Sequence, residues 1–509
     1  MSLLGLDVGT TGCKAVLFST DGRMLASAYE EYDTRSPEPG WAELDAPAIW
    51  QIIQKVIARV VSQSASDPVT SLAVASLGEA VVPVSRDRQI LGPSLLNFDA
   101  RGGEYVEGLR ARLNDTHLYA INGNTLGNHF SMTKLMWIRD HQPDLYGRTD
   151  KFLPWSSCIA FMLGADAVVD YSLANRTLLF DLNRAGWSDE LLSISGIDPA
   201  RLPRLAPSGV VVGTVSARVA RELGLSPHVT IVSGAHDQCA NAVGSGAIEA
   251  GRALYGMGSY HCIAPVVNER REVSAMVARG LNTEHHAVPG RYISFIYNHG
   301  GTLFKWFRDT FATLEHRQAR SEQKEIYSLL AAEMPSRLSS VLVLPNFAPT
   351  GPPEFLTDTC GALIGLPLDT ARGDLLKGIL EAIAFYLKES VDALPAVGIP
   401  IESYRVVGGG SKSEAWIQIS ADILGRPFTR PVITEAGALG SAIMAGVGSG
   451  VFQDYPAGVE AMVALDRTFE PDPARHERYL ERFQQYHEFY GLMKGPLKEY
   501  HRAGHLGEA

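Results

Sequence analysis

The chain is poor in cysteine and in positive charge. Its five cysteines, Cys13, Cys158, Cys239, Cys262 and Cys360, are scattered over 509 residues without metal-ligand spacing. That argues against a disulfide framework and fits a reducing compartment. Acidic residues outnumber basic ones, 56 to 45, so the composition carries no electrostatic footprint for nucleic acid. No apolar run is long enough to span a membrane. The N-terminus enters a strand directly, without the basic and apolar segments of a signal peptide, and the expected location is cytoplasmic. Two common phosphate loops are also missing. Gly-x-x-x-x-Gly-Lys-Ser/Thr is absent, and Gly-x-Gly-x-x-Gly does not follow the first strand. The length exceeds what one core holds, so two or more domains are expected.

What the sequence does have is concentrated near its start. Leu3–Val8 is an apolar run that contains one carboxylate, Asp7, and Gly9-Thr10-Thr11-Gly12 is a turn with glycine at both ends. Lys14–Phe18 is apolar again, Ser19-Thr20-Asp21-Gly22 is a hairpin signal, and Met24–Tyr32 resumes as a strand. Glycines let backbone N–H groups approach an anion, the threonines add hydroxyl donors, and Lys14 adds charge. A carboxylate in a buried strand needs a cation or donors to face. Asp7 beside this turn therefore points to a Mg²⁺-nucleotide site, although an ordinary hairpin with one capping Asp gives the same local pattern. The turn resembles the hairpin that opens the actin-like, hexokinase-like ATPase fold.

The pattern recurs. Gly256-Met257-Gly258-Ser259-Tyr260 lies under Asp7-Val8-Gly9-Thr10-Thr11, with glycine where the first copy has Asp7. Such duplication predicts two related α/β domains that face each other, each giving one phosphate-holding turn, with a boundary near Ser245–Gly251. Between the copies, Asp45 and Pro47 open a helix whose Trp50, Ile53, Ile57 and Val60 recur at helical spacing. Ser94–Phe98 reads as a strand that ends in Asp99-Ala100-Arg101, and Asp170-Tyr171-Ser172 as the start of a polar loop. Strand ends are where α/β proteins place ligand groups, which singles out Glu79, Asp99 and Arg101. Asp237 follows the strand Val229–Val232 and starts a helix rich in Gly and Ala; a plain helix cap would look the same. In the second half, Gly408-Gly409-Gly410-Ser411-Lys412-Ser413 sits between a strand and a helix. It puts bare backbone against a ligand and aims the helix N-terminus at it. Thr434–Ala442 is another Gly/Ala helix start, and its small face suits a flat ring. Ala474–Met493 reads as a solvated amphipathic helix, and the residues after Tyr500 as frayed.

Together these pieces resemble the FGGY family of carbohydrate kinases, over nearly the whole chain from Leu3 to about Phe452. One family signature reads here Ser131-Met132-Thr133-Lys134-Leu135-Met136-Trp137-Ile138-Arg139-Asp140. The other reads Gly361-Ala362-Leu363-Ile364-Gly365-Leu366, followed by Asp374-Leu375-Leu376-Lys377-Gly378-Ile379-Leu380-Glu381. The resemblance implies an α/β fold of two actin-like, ribonuclease-H-like ATPase domains with a central interdomain cleft. The domains would be residues 1–247 (acceptor and catalytic base), 248–452 (nucleotide) and a helical extension over 453–509. It implies ATP and Mg²⁺ as cofactors and phosphorylation of a sugar or polyol, with no nucleic-acid or membrane partner. Homodimers are common in the family.

By resemblance Asp237 is the general base, and Asp7 and Asp237 face Mg²⁺. Thr10, Thr11, Lys14, Gly258 and Ser259 hold phosphate. Gly409, Gly410, Ser413, Ala436 and Gly437 line the adenosine, and Glu79, Asp99 and Arg101 bind acceptor hydroxyls. Gly40-Trp41-Ala42-Glu43 and Ser172-Leu173-Ala174 with Arg176–Asp181 look most like the xylulokinase branch, so D-xylulose heads the acceptors, ahead of other ketopentoses, gluconate, pentitols and glycerol. Leu77-Gly78-Glu79 stands where that branch usually has Gln-Met-His, and Glu79 aligns with the acidic residue of the glycerol kinase branch. The rival class is an actin-like ATPase without kinase activity, a filament or chaperone module.

Overall fold

The computed structural model describes residues 1–63 and 67–504. The opening segment folds as read. Ser2–Val8 and Gly12–Ser19 form a hairpin that pairs Asp7 with Lys14, and Met24–Glu31 continues it as a meander. Alternate residues of the first two strands go to opposite faces, and both faces are covered, which explains their almost unbroken apolar runs. The sheet then extends in parallel through Val69–Ser76, with Ala235–His236 and Thr230–Val232 pairing beyond it, and ends on antiparallel Val211–Thr214.

The second sheet repeats that order of directions. Arg252–Met257 and Tyr260–Val267 form its hairpin, with Ile296–His299 and Tyr292–Ile293 antiparallel to the second strand. Ser403–Val407 and Phe428–Pro431 continue in parallel, and Leu465–Phe469 closes the edge antiparallel. The duplication seen in two short turns therefore extends through each whole sheet. The chain crosses between the sheets over 246–251, after the helix Asp237–Ser245 and before Arg252.

Helix Ala46–Val61 is capped as expected, with Ala48 N donating to Asp45 Oδ1 at 3.1 Å. Ile49, Ile53, Ile57 and Val60 are buried against the first sheet, whereas Trp50 is only half-buried. Other elements depart from the sequence reading. The strand expected over Ser94–Phe98 is only Ser94–Leu95, and Phe98 is exposed. Asp170 is buried rather than in a polar loop. Its Oδ1 caps helix Tyr171–Asn175 by accepting from Ser172 N at 2.9 Å and Leu173 N at 3.2 Å. The tail is more than a helical extension, since Leu465–Phe469 is a sheet strand. Helix Pro473–Gly504 buries Tyr479, Tyr486 and Tyr490 in the second core and runs past Tyr500; 505–509 lie outside the described residues.

A third apolar cluster joins the two sheets. Its centre is the contact of helices Asp237–Ser245 and Ala436–Gly448, packed backbone to backbone. A Cβ at Gly244 would run into Ala436 O, one at Gly440 into Ala240 O, and one at Gly5 into Ala438 O. The N-termini of both helices meet the cavity between the domains, which has a volume of about 370 Å³.

Candidate active site

The first domain presents Asp7 and Lys14 to this cavity from neighbouring positions of its hairpin. The intervening turn is held from behind: Tyr32 Oη donates to Gly9 O at 2.6 Å and to Gly12 O at 3.1 Å. With both carbonyls occupied, Thr10 and Thr11 stand at the turn's tip, half-buried and exposed respectively. The second domain offers Gly256 and Gly258. Its turn is braced by the helix Gly301–Phe311, whose Gly301 N donates to Gly258 O at 2.9 Å; Ser259 is exposed at the tip.

Three glycines follow the strand Ser403–Val407, and they divide the work. Gly408 has φ +91° and packs on Met257, and a Cβ at Gly410 would lie 2.9 Å from Met257 Cβ. A Cβ at Gly409 would touch nothing, so this residue opens onto the cavity. Ser413 uses its hydroxyl to cap the helix Glu414–Leu424, accepting from Trp416 N at 3.4 Å. Ala436 and Gly437 line the cavity, and a Cβ on Gly437 would collide with Asp7 Oδ2.

Asp237 is the first residue of its helix, and the cap position is taken by His236. Its carboxylate is therefore not used as a helix cap. Oδ1 lies 3.2 Å from His236 Nε2 and is buried without a well-formed hydrogen bond. Burial pushes Asp237 up to about 6, opposed by hydrogen bonds from Gln238 and by the charge of Arg176. Asp7 is pushed up to about 7 by burial and by Asp237, with Lys14 opposing. An acid raised by burial and by a second acid beside it is a place that suits a cation. His236 is held well below the usual range by burial and Arg176, so it is neutral.

Glu79, one of the expected acceptor residues, pairs with Arg176, whose Nη1 also reaches Glu284 Oε1 at 2.6 Å. Asp99 and Arg101 are brought together elsewhere. Arg101 donates to Asp99 through Nε (3.0 Å) and Nη2 (2.6 Å) and to Glu43 at 2.7 Å, with its guanidinium 4.0 Å over the Trp41 ring. Asp99 Oδ2 also accepts from Ala42 N at 2.6 Å. Lys134, within the signature segment Ser131–Asp140, donates to Asp99 O and Arg101 O, and burial lowers it to about 8. These partners hold the Asp-x-Arg segment in place; neither Asp99 nor Arg101 lines the cavity, and neither does Glu79.

The sequence profiles of the FGGY family of carbohydrate kinases match residues 2–244 with the N-terminal domain and 268–449 with the C-terminal domain. The chain belongs to the FGGY family of carbohydrate kinases. Among relatives, a glycerol kinase of Gloeobacter violaceus is 31% identical over 490 residues, covering 92% of both chains. An autoinducer-2 kinase of Klebsiella pneumoniae is 30% identical, covering 97% of this chain and 94% of its own. Among solved structures, xylulose kinase from Rhodospirillum rubrum superposes with a TM-score of 0.85 at 27% identity, over 98% of this chain and 100% of that one. Sequence relatives and structural neighbours thus carry different acceptor names within one family.

FGGY kinases use ATP as phosphate donor, and the cavity of this FGGY kinase is lined by residues beyond those expected. Lys412, Gln238, Asn241, Thr434 and Glu435 also line it. Gln238 and Asn241 are polar positions in a helix otherwise made of small residues, a signal readable in the sequence. Lys412 lies inside the glycine-rich stretch, also in plain view. Glu284 carries no such signal, because it comes from a two-residue strand of the other domain. Among the described residues no group of three His, Cys, Asp or Glu forms a metal cage, and no helix is long and apolar enough to cross a membrane.

Proposed function

We propose that this kinase transfers the γ-phosphate of ATP to a hydroxyl of a small neutral ketose or polyol, with D-xylulose the first candidate and glycerol the second. The observation that carries the reading is Asp237: half-buried, not used as a cap, with one oxygen buried and unmatched, and next in the chain to Gln238, which lines the cavity that holds Asp7. As general base, Asp237 takes the acceptor's hydroxyl proton as the bond to phosphorus forms. A carboxyl near pH 6 is largely ionised at neutral pH and available for this. Asp7 and Asp237 fit a Mg²⁺, which is bound through one or two carboxylates plus phosphate oxygens and water. That ion supplies charge neutralisation at the phosphates.

Thr10, Thr11, Lys14, Gly258 and Ser259 surround the phosphates from the two facing turns. Gly409, Ala436 and Gly437 make a floor with no side chain larger than a methyl group for the nucleoside, while Gly410 and Ser413 shape that floor from behind. Glu79 takes an acceptor hydroxyl, and Asp99 with Arg101 holds the wall beside it. The acceptor side favours neutral compounds: Glu79, Glu284 and Asp237 stand against one cation, Arg176. The names of relatives support both candidates, glycerol through sequence and xylulose through structure.

The test is ADP release from Mg-ATP with ketoses, polyols and aldonates, a no-acceptor control, and Asp237→Ala alongside. Stimulation by a neutral acceptor that vanishes in the variant supports the reading. Hydrolysis that needs no acceptor and survives the substitution sinks it.

A further inference from the structure

Glu284 is a fully buried carboxylate that the second domain inserts into the first. Its strand, Glu284–His285, pairs with Tyr292–Ile293 at the edge of the second sheet. The hairpin is fixed to the first domain. Thr283 N donates to Gly123 O at 2.8 Å, Thr283 Oγ1 meets Tyr119 Oη at 2.8 Å, and His285 N donates to Asn175 Oδ1 at 3.1 Å. Glu284 Oε1 accepts from Asn282 Nδ2 at 2.8 Å and from Arg176 Nη1 at 2.6 Å. The other terminal nitrogen of Arg176 goes to Glu79. One guanidinium is therefore gripped by two carboxylates, one from each domain, with the Phe130 ring 5.0 Å away.

The grip leaves two buried atoms unmatched among the described residues, a donor, Arg176 Nε, and an acceptor, Glu284 Oε2. Buried polar groups are nearly always paired, so a donor and an acceptor left open in one cluster point to a ligand that has both. A hydroxyl has both. The cluster adjoins the catalytic base: Arg176 acts on Asp237 and His236 through its charge, and a Cβ at Gly78 would sit 3.1 Å from His236 Nε2 and 3.3 Å from Arg176 Cγ.

We propose that Arg176, clamped by Glu79 and Glu284, determines acceptor specificity: Arg176 Nε and Glu284 Oε2 bind acceptor hydroxyls, and the two carboxylates deny an anionic acceptor the arginine fork. A free guanidinium takes a carboxylate in bidentate fashion. Here both terminal nitrogens are already held by protein carboxylates, so an aldonate would meet net negative charge. This inference rests on the neutral-acceptor reading above.

The test uses the full chain with Glu284→Gln and, separately, Arg176→Lys. It measures kcat and KM for D-xylulose, glycerol and gluconate, KM for ATP, and the melting temperature. Glu284→Gln is expected to raise KM for the neutral acceptor about tenfold and the gluconate-to-neutral ratio of kcat/KM about fivefold or more, with KM for ATP little changed. Arg176→Lys keeps the charge and removes Nε, and is expected to raise the neutral KM by about tenfold. A neutral-accepting wild type whose ratio rises less than this in Glu284→Gln, or a common loss for every acceptor and ATP, overturns the inference alone. Gluconate as the preferred acceptor of the wild type overturns the neutral-acceptor reading itself. Should Glu284→Gln fail to fold, Arg176→Lys decides by its neutral KM.

Discussion

Lys14 Nζ stands 3.4 Å from Glu435 Oε1, and this pair ties the first hairpin to the residue that precedes the helix Ala436–Gly448. Lys14 also opposes the two effects that raise Asp7. Lys14→Met should therefore do two things. It should raise KM for ATP by about tenfold, the scale of one charge-assisted contact. It should also move the acid limb of the rate profile to higher pH, because Asp7 would lose its compensating cation. Initial rates as a function of pH, at saturating acceptor, check both.

Removing the base is the sharper intervention. Asp237→Asn keeps shape and loses the proton acceptor. We expect kcat to fall about a hundred- to ten-thousand-fold while nucleotide still binds, read by isothermal titration with an ATP analogue and by single-turnover phosphoryl transfer. Loss of binding as well as turnover would assign Asp237 to architecture.

The same two acids make stability depend on pH in an unusual sense. Between their unfolded values near about 4 and their folded values of about 7 (Asp7) and about 6 (Asp237), the folded protein holds more protons than the unfolded chain. Their contribution is therefore most favourable at the acid end of that window and is lost as pH rises through it. Asp7→Asn and Asp237→Asn should each raise the melting temperature of the ligand-free protein more at pH 8 than at pH 5. Mg-ATP should recover that difference in the wild type. Differential scanning fluorimetry across pH checks this; a gain larger at pH 5 would contradict it.

Arg101 gives a contrasting expectation. Its pairs with Asp99 and Glu43 and its place on Trp41 are buried, so Arg101→Ala strands two carboxylates. We expect a loss of about 3 kcal/mol or more in urea unfolding. If the pair is wall, the folded fraction should keep its acceptor KM within about threefold, well short of the loss caused by removing a hydrogen-bonding group from a substrate pocket. A large KM effect with little loss of stability would return Asp99 and Arg101 to direct acceptor binding.

Local chemistry explains which parts could be read from the sequence. The two hairpins, the glycine triplet and the Gly/Ala helices advertise themselves, because turn residues and apolar runs act over a few positions. The sequence pattern puts Asp99 and Arg101 at the end of a strand that in fact stops at Leu95, and nothing local shows that Trp41 and Lys134 close over them. Asp170 reads as polar because its compensating N–H groups belong to the backbone, which every sequence has. Glu284 was invisible for a different reason: its partner, Arg176, is 108 positions away and in the other domain.

The seam between helices Asp237–Ser245 and Ala436–Gly448 has a practical consequence. Where backbone lies against backbone, one methyl group is already too large, as at Gly244 and Gly440. In a saturation library these positions should behave as if catalytic, rejecting even alanine, although none of them touches a substrate. A screen that ranks residues by intolerance alone would merge this seam with the active site, and only separate measurements of folding and of turnover would pull them apart.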